Sequence, residues 1–331
     1  MIAPVPAEWS PHRAMWLGFP SHADLWEDNL APAQAEVIAL ARALADVGGE
    51  RVKLMACGAA AVETVRALTG DTTGIDVIAG DFGDIWLRDT GPIFTAPGAA
   101  AGFVFNGWGG KYDLPHDDTV AERLASAAGA AFTRHAFVLE GGALDHDGAG
   151  TVLTTRQCLL NPNRNRGWRE GDAERALETA LGARAVLWLD QGLMNDHTDG
   201  HVDNLARFVA PGVVVCPMAF GIDDPNAAIY DTVAEALADM SDADGRRLRV
   251  LRMPSPGRMK DDDHHVVPAS HMNFLIANKA VIMPTYEDFA SGFALEVLRD
   301  VFPDRQVIGL PSRALLTGGG AFHCISQQEP A

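Results

Sequence analysis

Long apolar runs are missing from this chain of 331 residues and 35.3 kDa. No uninterrupted stretch approaches the roughly 18–20 apolar residues that a membrane span requires, so no membrane partner is expected. The first residues, Met1 to Trp9, carry neither a basic cluster nor an apolar core. A secretory leader is therefore not expected, and a cytoplasmic protein is. Basic residues are short: 26 Lys and Arg stand against 44 Asp and Glu, a formal net charge of −18. A phosphate-backbone binder needs a basic face, so nucleic acid is not an expected partner. The acidic excess serves solubility, and it can also draw cationic substrates inward. Cysteine is scarce, with residues 57, 158, 216 and 324 far apart in sequence. That spacing gives no zinc-ribbon and no Cys-x-x-Cys signature. A chain of this length needs no disulfide framework, so reduced thiols are expected, most of them ordinary core residues. Low-complexity tracts and Gly/Ser/Pro linkers are also missing. With 47% apolar and 21% charged residues the composition is that of a globular protein.

What is present is an alternation of two periodicities. Ala-rich stretches with polar residues at helical spacing predict helices over 32–47, 120–131, 170–181 and 229–240. Short β-branched runs bounded by turn residues predict strands at 51–55, 75–78, 102–105, 151–155, 212–216, 249–253 and 279–283. Helices and strands interleave over the whole length, which predicts an α/β fold. The helix–strand units recur at about 60 residues, longer than one βαβ unit needs. Ser255 to His265, with three aspartates and two histidines at its end, predicts an exposed loop.

Five polar segments interrupt this pattern. Gly83-Asp84-Ile85-Trp86-Leu87-Arg88-Asp89-Thr90-Gly91-Pro92 is either a functional loop at a strand end or a turn fixed by an Arg–Asp pair. Asn106-Gly107-Trp108-Gly109-Gly110 is Gly-rich without matching a phosphate-binding pattern, and reads as a pocket wall or a packed aromatic loop. Glu140-Gly141-Gly142 pairs a carboxylate with backbone that allows close approach, or is a plain turn. Asp196 to Asn204 holds His197, His201, Asp199 and Asp203. The spacing fits neither a zincin helix nor an EF-hand, so a metal is not the expected occupant. A histidine within two residues of a carboxylate suits a general acid/base, and in an extended segment His201 and Asp203 share a face. Last, Gly318-Gly319-Gly320 precedes His323-Cys324. Exposed backbone followed by a cysteine points to a nucleophile with a lowered pKa, unless Cys324 is a buried structural residue. His323, adjacent in sequence, is expected to point away from the sulfur.

Taken in order, these motifs resemble the agmatine deiminase and bacterial-type peptidyl-arginine deiminase family. They are Trp86-x-Arg88-Asp89-x-Gly91-Pro92, Asn106-x-Trp108-Gly109, Glu140-Gly141-Gly142, Gly200-His201-Val202-Asp203 and Gly318-Gly319-Gly320-x-x-His323-Cys324, with Glu8-Trp9, Trp16 and Phe19-Pro20 near the start. The resemblance runs from about residue 5 to residue 330. It implies one catalytic domain over 1–331 with a pentein fold: ββαβ-type units in a pseudo-fivefold α/β propeller around a central channel. It implies no metal and no organic cofactor. It also implies Cys324 as nucleophile, His201 as general acid/base, Asp89 and Asp203 as the carboxylates holding a guanidinium, and Glu140 as a third acid near the histidine. Trp86 would lie beside the substrate, with Gly319 and Gly320 lining it.

That residue set suits guanidinium hydrolysis. A guanidinium carbon is a poor electrophile, and two carboxylates both fix its plane and offset the burial of its charge. The expected partner is a small cationic guanidino compound. The expected reaction is hydrolysis of agmatine to N-carbamoylputrescine and ammonia through a thiouronium on Cys324. Three alternatives remain: deimination of free or peptide arginine, an amidinotransferase, and a non-catalytic guanidine-binding module. Arginine would require a cationic partner for its carboxylate, with Arg88, Arg164 and Arg166 as candidates. The sequence allows a homo-oligomer without specifying one.

Overall fold

The computed structural model of the chain describes residues 2–331. In chain order its strands are β1 (His12–Gly18), β2 (Val52–Ala56), β3 (Ile75–Ala79), β4 (Ile93–Ala96), β5 (Ala99–Val104), β6 (Ala131–Val138), β7 (Leu144–His146) and β8 (Thr151–Thr155). Then follow β9 (Ala185–Leu189), β10 (Arg207–Ala210), β11 (Val213–Met218), β12 (Arg249–Pro254), β13 (Leu275–Ile276), β14 (Ala280–Thr285), β15 (Gln306–Pro311) and β16 (Ser326–Pro330). They form five small sheets. Four have three strands each: β4-β5-β6, β7-β8-β9, β10-β11-β12 and β13-β14-β15. In each, the first strand runs antiparallel to the second and the second parallel to the third. The fifth sheet, β16-β1-β2-β3, joins the two ends of the chain, with β16 antiparallel to β1.

A parallel pair cannot be closed by a tight turn, so each needs a crossover. Helices supply it: Val120–Ala128, Glu170–Leu181, Ala227–Asp239 and Ser291–Val301 in the three-stranded units, Leu30–Asp46 and Ala59–Thr69 in the fifth. Each buries one stripe. In Leu30–Asp46 the stripe is Ala33, Val37, Ile38, Leu40, Ala41 and Leu44, which packs with Leu54 and Met55 of β2. Strands β8 and β14 lie between such layers and are buried at nearly every position, hence their continuous β-branched and apolar runs. No helix among the described residues is long and apolar enough to cross a membrane.

The α/β expectation holds, with element limits within a few residues of those predicted. The helix expected to reach residue 131 stops at Ala128, because Gly129 takes the left-handed conformation (φ 69°) that ends it; Ala131 already begins β6. Residues 255–265 do form an irregular, largely exposed segment, pinned by one isolated bridge between Lys260 and Val266.

One regularity decides where function can sit. The stretch just before the first strand of every sheet unit is irregular and mostly buried: residues 84–92 before β4, 139–143 before β7, 200–206 before β10, 269–274 before β13 and 318–325 before β16. These are the stretches that carry most of the polar motifs.

Candidate active site

Cys324 sits two residues before β16, held by the pairing of that strand with β1 and by the Gly18 N–H to Ile325 carbonyl bond of 2.9 Å. Its thiol is buried, with Sγ 3.7 Å from Asp203 Oδ2 and 3.2 Å from Asn273 Nδ2. Burial raises its pKa well above the ordinary thiol value, and the Asp203 and Asp89 carboxylates raise it further. The thiol pKa, expected from the sequence to be lowered, is instead raised. Burial first, and then the two carboxyl groups beside the sulfur, favour the protonated thiol.

Asp89 lies in a single helical turn, Leu87–Thr90, before β4. Its Oδ2 accepts the Trp108 indole N–H at 2.9 Å, and its Oδ1 accepts the Gly142 backbone N–H at 2.9 Å. Burial pushes its pKa up, and His201, Trp108 and Gly142 counter this. Asp203 Oδ2 accepts from His323 Nδ1 at 2.8 Å, whereas Oδ1 is buried with no partner. Burial opposes ionisation of Asp203 too, but His323, His201 and Arg207 hold its pKa below the usual value. His201 is buried with Nδ1 3.7 Å from Asp89 Oδ1. Burial would strip its proton, yet Asp89, Cys158 and Glu140 together raise its pKa well above the ordinary imidazole value. The resting site therefore pairs an imidazolium with a protonated thiol. The segment carrying His201 and Asp203 is not extended, so the shared strand face that an extended segment would give does not apply. Residues Val202–Asn204 form a 3-10 turn, which still turns both side chains inward.

Gly142 shows how tightly these groups converge. A Cβ there would lie 2.6 Å from His201 Nδ1, 2.8 Å from Asp89 Oδ1 and 3.1 Å from Asp203 Oδ2. Gly142 of Glu140-Gly141-Gly142 is needed for the close approach of the His201, Asp89 and Asp203 side chains, whereas the sequence suggested approach by a ligand. Glu140 itself is buried, its Oε1 accepting from Arg164 Nε at 2.6 Å. Burial raises its pKa against the pull of Arg164 and His201.

The cavity that opens onto Cys324 has a volume of about 370 Å³. Its wall includes Trp26, Trp86, Asp89, Trp108, Tyr112, His197, Glu27, Asp84, Gly319 and Gly320. Trp86 and Trp26 both donate to Asp84, at 2.6 and 3.0 Å, so one buried carboxylate orients two indoles. A Cβ on Gly320 would meet Trp86 at 2.5 Å and Cys324 Cβ at 3.1 Å. Among the described residues no lysine or arginine lines this cavity.

The arginines considered as carboxylate clamps are engaged elsewhere or lie outside. Arg88 is buried against Ser326 and Gln327 side chains. Arg164 binds Glu140, Asn163, Asp199 and the Thr198 carbonyl. Arg166 is exposed and is not part of the wall. His323 points away from the sulfur, as expected, and bridges Asp203 to Glu8, whose Oε2 lies 3.2 Å from its Nε2. His197 and His201 do not share a metal site: His197 stacks on Tyr112 at the outer wall. The one His/Cys/acid group among the described residues that could hold an ion is Glu140, Cys158 and His201, with ligand atoms within 4.8 Å of one another. The Arg164 guanidinium, bonded to Glu140 at 2.6 Å, opposes a cation there.

Sequence reasoning missed Asn273, the indole bond from Trp108 to Asp89, and Cys158 beside His201. Cys158 follows a β-branched strand like any core thiol, and Asn273 lies among uncharged neighbours. Trp108 carried the best signal, since it stands in a Gly-rich loop; its own backbone is left-handed (φ 54°).

The sequence pattern of the Porphyromonas-type peptidyl-arginine deiminase family matches residues 4–330. An agmatine deiminase of Stutzerimonas stutzeri (strain A1501) is 38% identical, covering 99% of this chain and 95% of its own. The solved agmatine deiminase of Enterococcus faecalis superposes with a TM-score of 0.92 at 31% identity, covering 99% of this chain and 95% of its own. The DDAH of Pseudomonas aeruginosa, at 12% identity and a TM-score of 0.55, shares the fold alone, covering 96% of this chain and 99% of its own.

Proposed function

The chain belongs to the Porphyromonas-type peptidyl-arginine deiminase family, and from that membership and the geometry of its cavity we propose that it is an agmatine deiminase, hydrolysing agmatine to N-carbamoylputrescine and ammonia. The observation that carries this choice of substrate is the wall: acidic and aromatic, without lysine or arginine among the described residues. Agmatine brings a guanidinium at one end and an ammonium at the other, and both suit carboxylates and indole faces. Arginine would bring a carboxylate that finds no cation there.

The groups gathered around Cys324 support the following chemistry. The guanidinium enters between Asp89 and Asp203, its N–H groups taking the vacant Asp203 Oδ1 and the free lone pairs of Asp89. Its charge offsets the two anions that hold the thiol protonated, so Cys324 gives up its proton to solvent as substrate binds. The thiolate forms a bond to the guanidinium carbon, and the imidazolium of His201 gives its Nδ1 proton to the departing nitrogen, which leaves as ammonia. A thiouronium remains on Cys324. Neutral His201 then takes a proton from water as the water oxygen bonds to the same carbon. Collapse forms the carbamoyl C=O as the hydroxyl proton passes to solvent, breaks the C–S bond and releases the carbamoyl product with the thiolate. Glu140, fixed by Arg164, keeps the imidazole basic. No cofactor enters this sequence.

The five sheet units, each with the same antiparallel-then-parallel order, support a pentein arrangement with the pre-strand stretches facing a common centre. The family pattern over 4–330 supports a single catalytic domain, and four unpaired cysteines suit a reducing cytoplasm. The test is ammonia release from agmatine, arginine and an arginyl peptide side by side, with Cys324→Ala as blank. Agmatine is expected to be turned over best by a wide margin. Faster release from arginine or the peptide would overturn the substrate reading and leave the reaction intact. Transfer of the amidino group to an added amine would identify a transferase instead.

A further inference from the structure

The cavity of about 370 Å³ that holds Cys324 and Asp89 is joined to a second, of about 1050 Å³, bounded by Lys260, Asp261, Val266 and Arg313. Five residues line both cavities and so mark the neck between them: Asn29, Tyr112, His197, Thr317 and Gly319. Two of the five are bonded to each other. The Tyr112 hydroxyl lies 2.8 Å from His197 Nδ1, and the two rings stack with centroids 6.4 Å apart. Both are braced. Lys111 Nζ donates to the His197 carbonyl at 2.6 Å and pairs with Asp199 Oδ1 at 2.6 Å. Residues 107–110 all have positive φ, which turns the chain back so that the Tyr112 N–H bonds the Gly107 carbonyl at 3.2 Å. Both posts of the neck are also tied to the reacting groups. The Tyr112 ring packs edge-on against Trp108 at 5.6 Å, and Trp108 is the donor to Asp89. Next to His197, the Thr198 hydroxyl accepts the His201 N–H at 3.1 Å. The neck is therefore held in register with the carboxylate and the imidazole.

We propose that Tyr112 and His197 are specificity-determining residues: their bonded pair makes a braced neck that passes guanidines on a slender, unbranched tail and holds back those on a branched, acylated one. The proposal rests on the guanidinium hydrolysis read above. The wall of the inner cavity disfavours a free carboxylate, yet that leaves an arginine residue within a peptide undecided, because its amides carry no charge. Shape decides there. Agmatine continues from its guanidinium as an unbranched chain of methylenes to an ammonium. An arginine side chain ends instead at a carbon that carries two amide groups. With the guanidinium between Asp89 and Asp203, a single chain threads past Tyr112 and His197, whereas two diverging arms meet the paired rings. The outer cavity has the room for such arms, so the obstruction is the neck itself.

Ammonia release is measured on wild type, Tyr112→Ala and His197→Ala with three guanidines: agmatine, butylguanidine and Nα-benzoylargininamide. The last has neither carboxylate nor ammonium, and butylguanidine shares that neutrality on a slender tail. The ratio of their kcat/KM values therefore reads the neck apart from charge. Wild type is expected to favour butylguanidine. Tyr112→Ala should raise the ratio of benzoylargininamide to butylguanidine at least about 10-fold, the scale on which a pocket discriminates by size. His197→Ala should raise it less, since the tyrosine ring stays and only its tie is lost. Damage passed through Trp108 to Asp89 slows both guanidines and cancels in the ratio. An unchanged ratio in Tyr112→Ala would overturn the proposal, and so would a wild type that prefers benzoylargininamide. The same two ligands are titrated calorimetrically into Cys324→Ala with and without Tyr112→Ala, where the ratio of affinities should shift the same way. That measurement needs no turnover, so it judges the neck even if Tyr112→Ala is inactive. A wild type that releases ammonia from none of the three guanidines refutes the reaction, and the calorimetric ratio then tells a failure of the neck apart from it.

Discussion

Cys324, Asp89 and Asp203 are mutually unfavourable in the empty site: two carboxylates raise the pKa of the sulfur they accompany. In the proposed mechanism the arrangement becomes favourable once a cation lies between them, which links affinity for the guanidinium to activation of the thiol. Removing one carboxylate should separate the two. In Asp89→Asn the alkylation profile of Cys324 in the free protein is expected to shift to lower pH, because an opposing charge is gone. At the same time kcat/KM for agmatine should fall at least about 100-fold, as a desolvated charge partner of the substrate is lost. A profile shifted upward, or unmoved, would contradict this electrostatic account. Asp117 offers a second residue-scale test, away from the chemistry. Its Oδ1 accepts the Gly83 N–H at 2.7 Å, its Oδ2 is buried without a partner, and burial raises its pKa to about 7. The folded protein thus holds this proton when the unfolded chain has released it, so stability falls as pH rises from about 4 to about 7. Asp117→Asn keeps the acceptor and removes the charge. It is expected to add roughly 2–4 kcal/mol above pH 7 and much less near pH 4, read by urea denaturation at both. Equal effects at the two pH values would show that the aspartate is not carrying a displaced proton.

At the scale of elements, the sequence disclosed the long pieces and the charged motifs, and it hid the short ones. Helix 170–181 and strand 151–155 were readable to the residue because each has an unbroken pattern and clear ends. Strand β13 spans two residues, and β6 alternates too weakly to stand out, with most of its residues partly or fully exposed. Asp89, Glu140, His201, Asp203 and Cys324 were legible because the motifs that hold them resemble a known family; acids, imidazole and thiol beside glycines left a plain turn or a structural cysteine open. Asn273 was not, since Ser270-His271-Met272-Asn273 carries no such signal and its meaning comes only from β13 setting it against β16's approach. The direction of the thiol pKa was hidden for the same reason: it depends on carboxylates from two other stretches. The glycines of 318–320 are a further element-level test. Gly320→Ala forces a methyl into Trp86 and against Cys324. Overpacking of this kind costs about 1–3 kcal/mol, and kcat/KM is expected to drop with it. Gly319 faces open space, so Gly319→Ala is strained only through its backbone (φ 104°) and should be the milder of the two. Kinetics on the pair check the order.

At the scale of the whole molecule, a buried ion network ties distant segments together behind the site. Arg207 of β10 bonds Glu8 near the N-terminus, Asp145 of β7 at 2.5 Å, and the carbonyls of Met272 and Phe274 before β13. Glu8 in turn bonds the Ile276 N–H at 2.7 Å and lies beside His323. Arg207→Met leaves two buried carboxylates without their partner and is expected to cost about 3–5 kcal/mol, measurable by denaturant unfolding. The net charge of −18 acts over the same scale. For a dicationic substrate, kcat/KM should decline as salt screens that field, with kcat nearly constant. A salt-independent kcat/KM would assign the charge to solubility alone. The account as a whole turns on one covalent bond, and mass spectrometry of the acid-quenched protein during turnover of agmatine observes it directly. The expected result is an adduct on the Cys324 peptide with the mass of agmatine less ammonia, absent from Cys324→Ala, which also forms no N-carbamoylputrescine. Product formation by Cys324→Ala, or turnover by the wild type with Cys324 unmodified and an adduct on another residue, would contradict it.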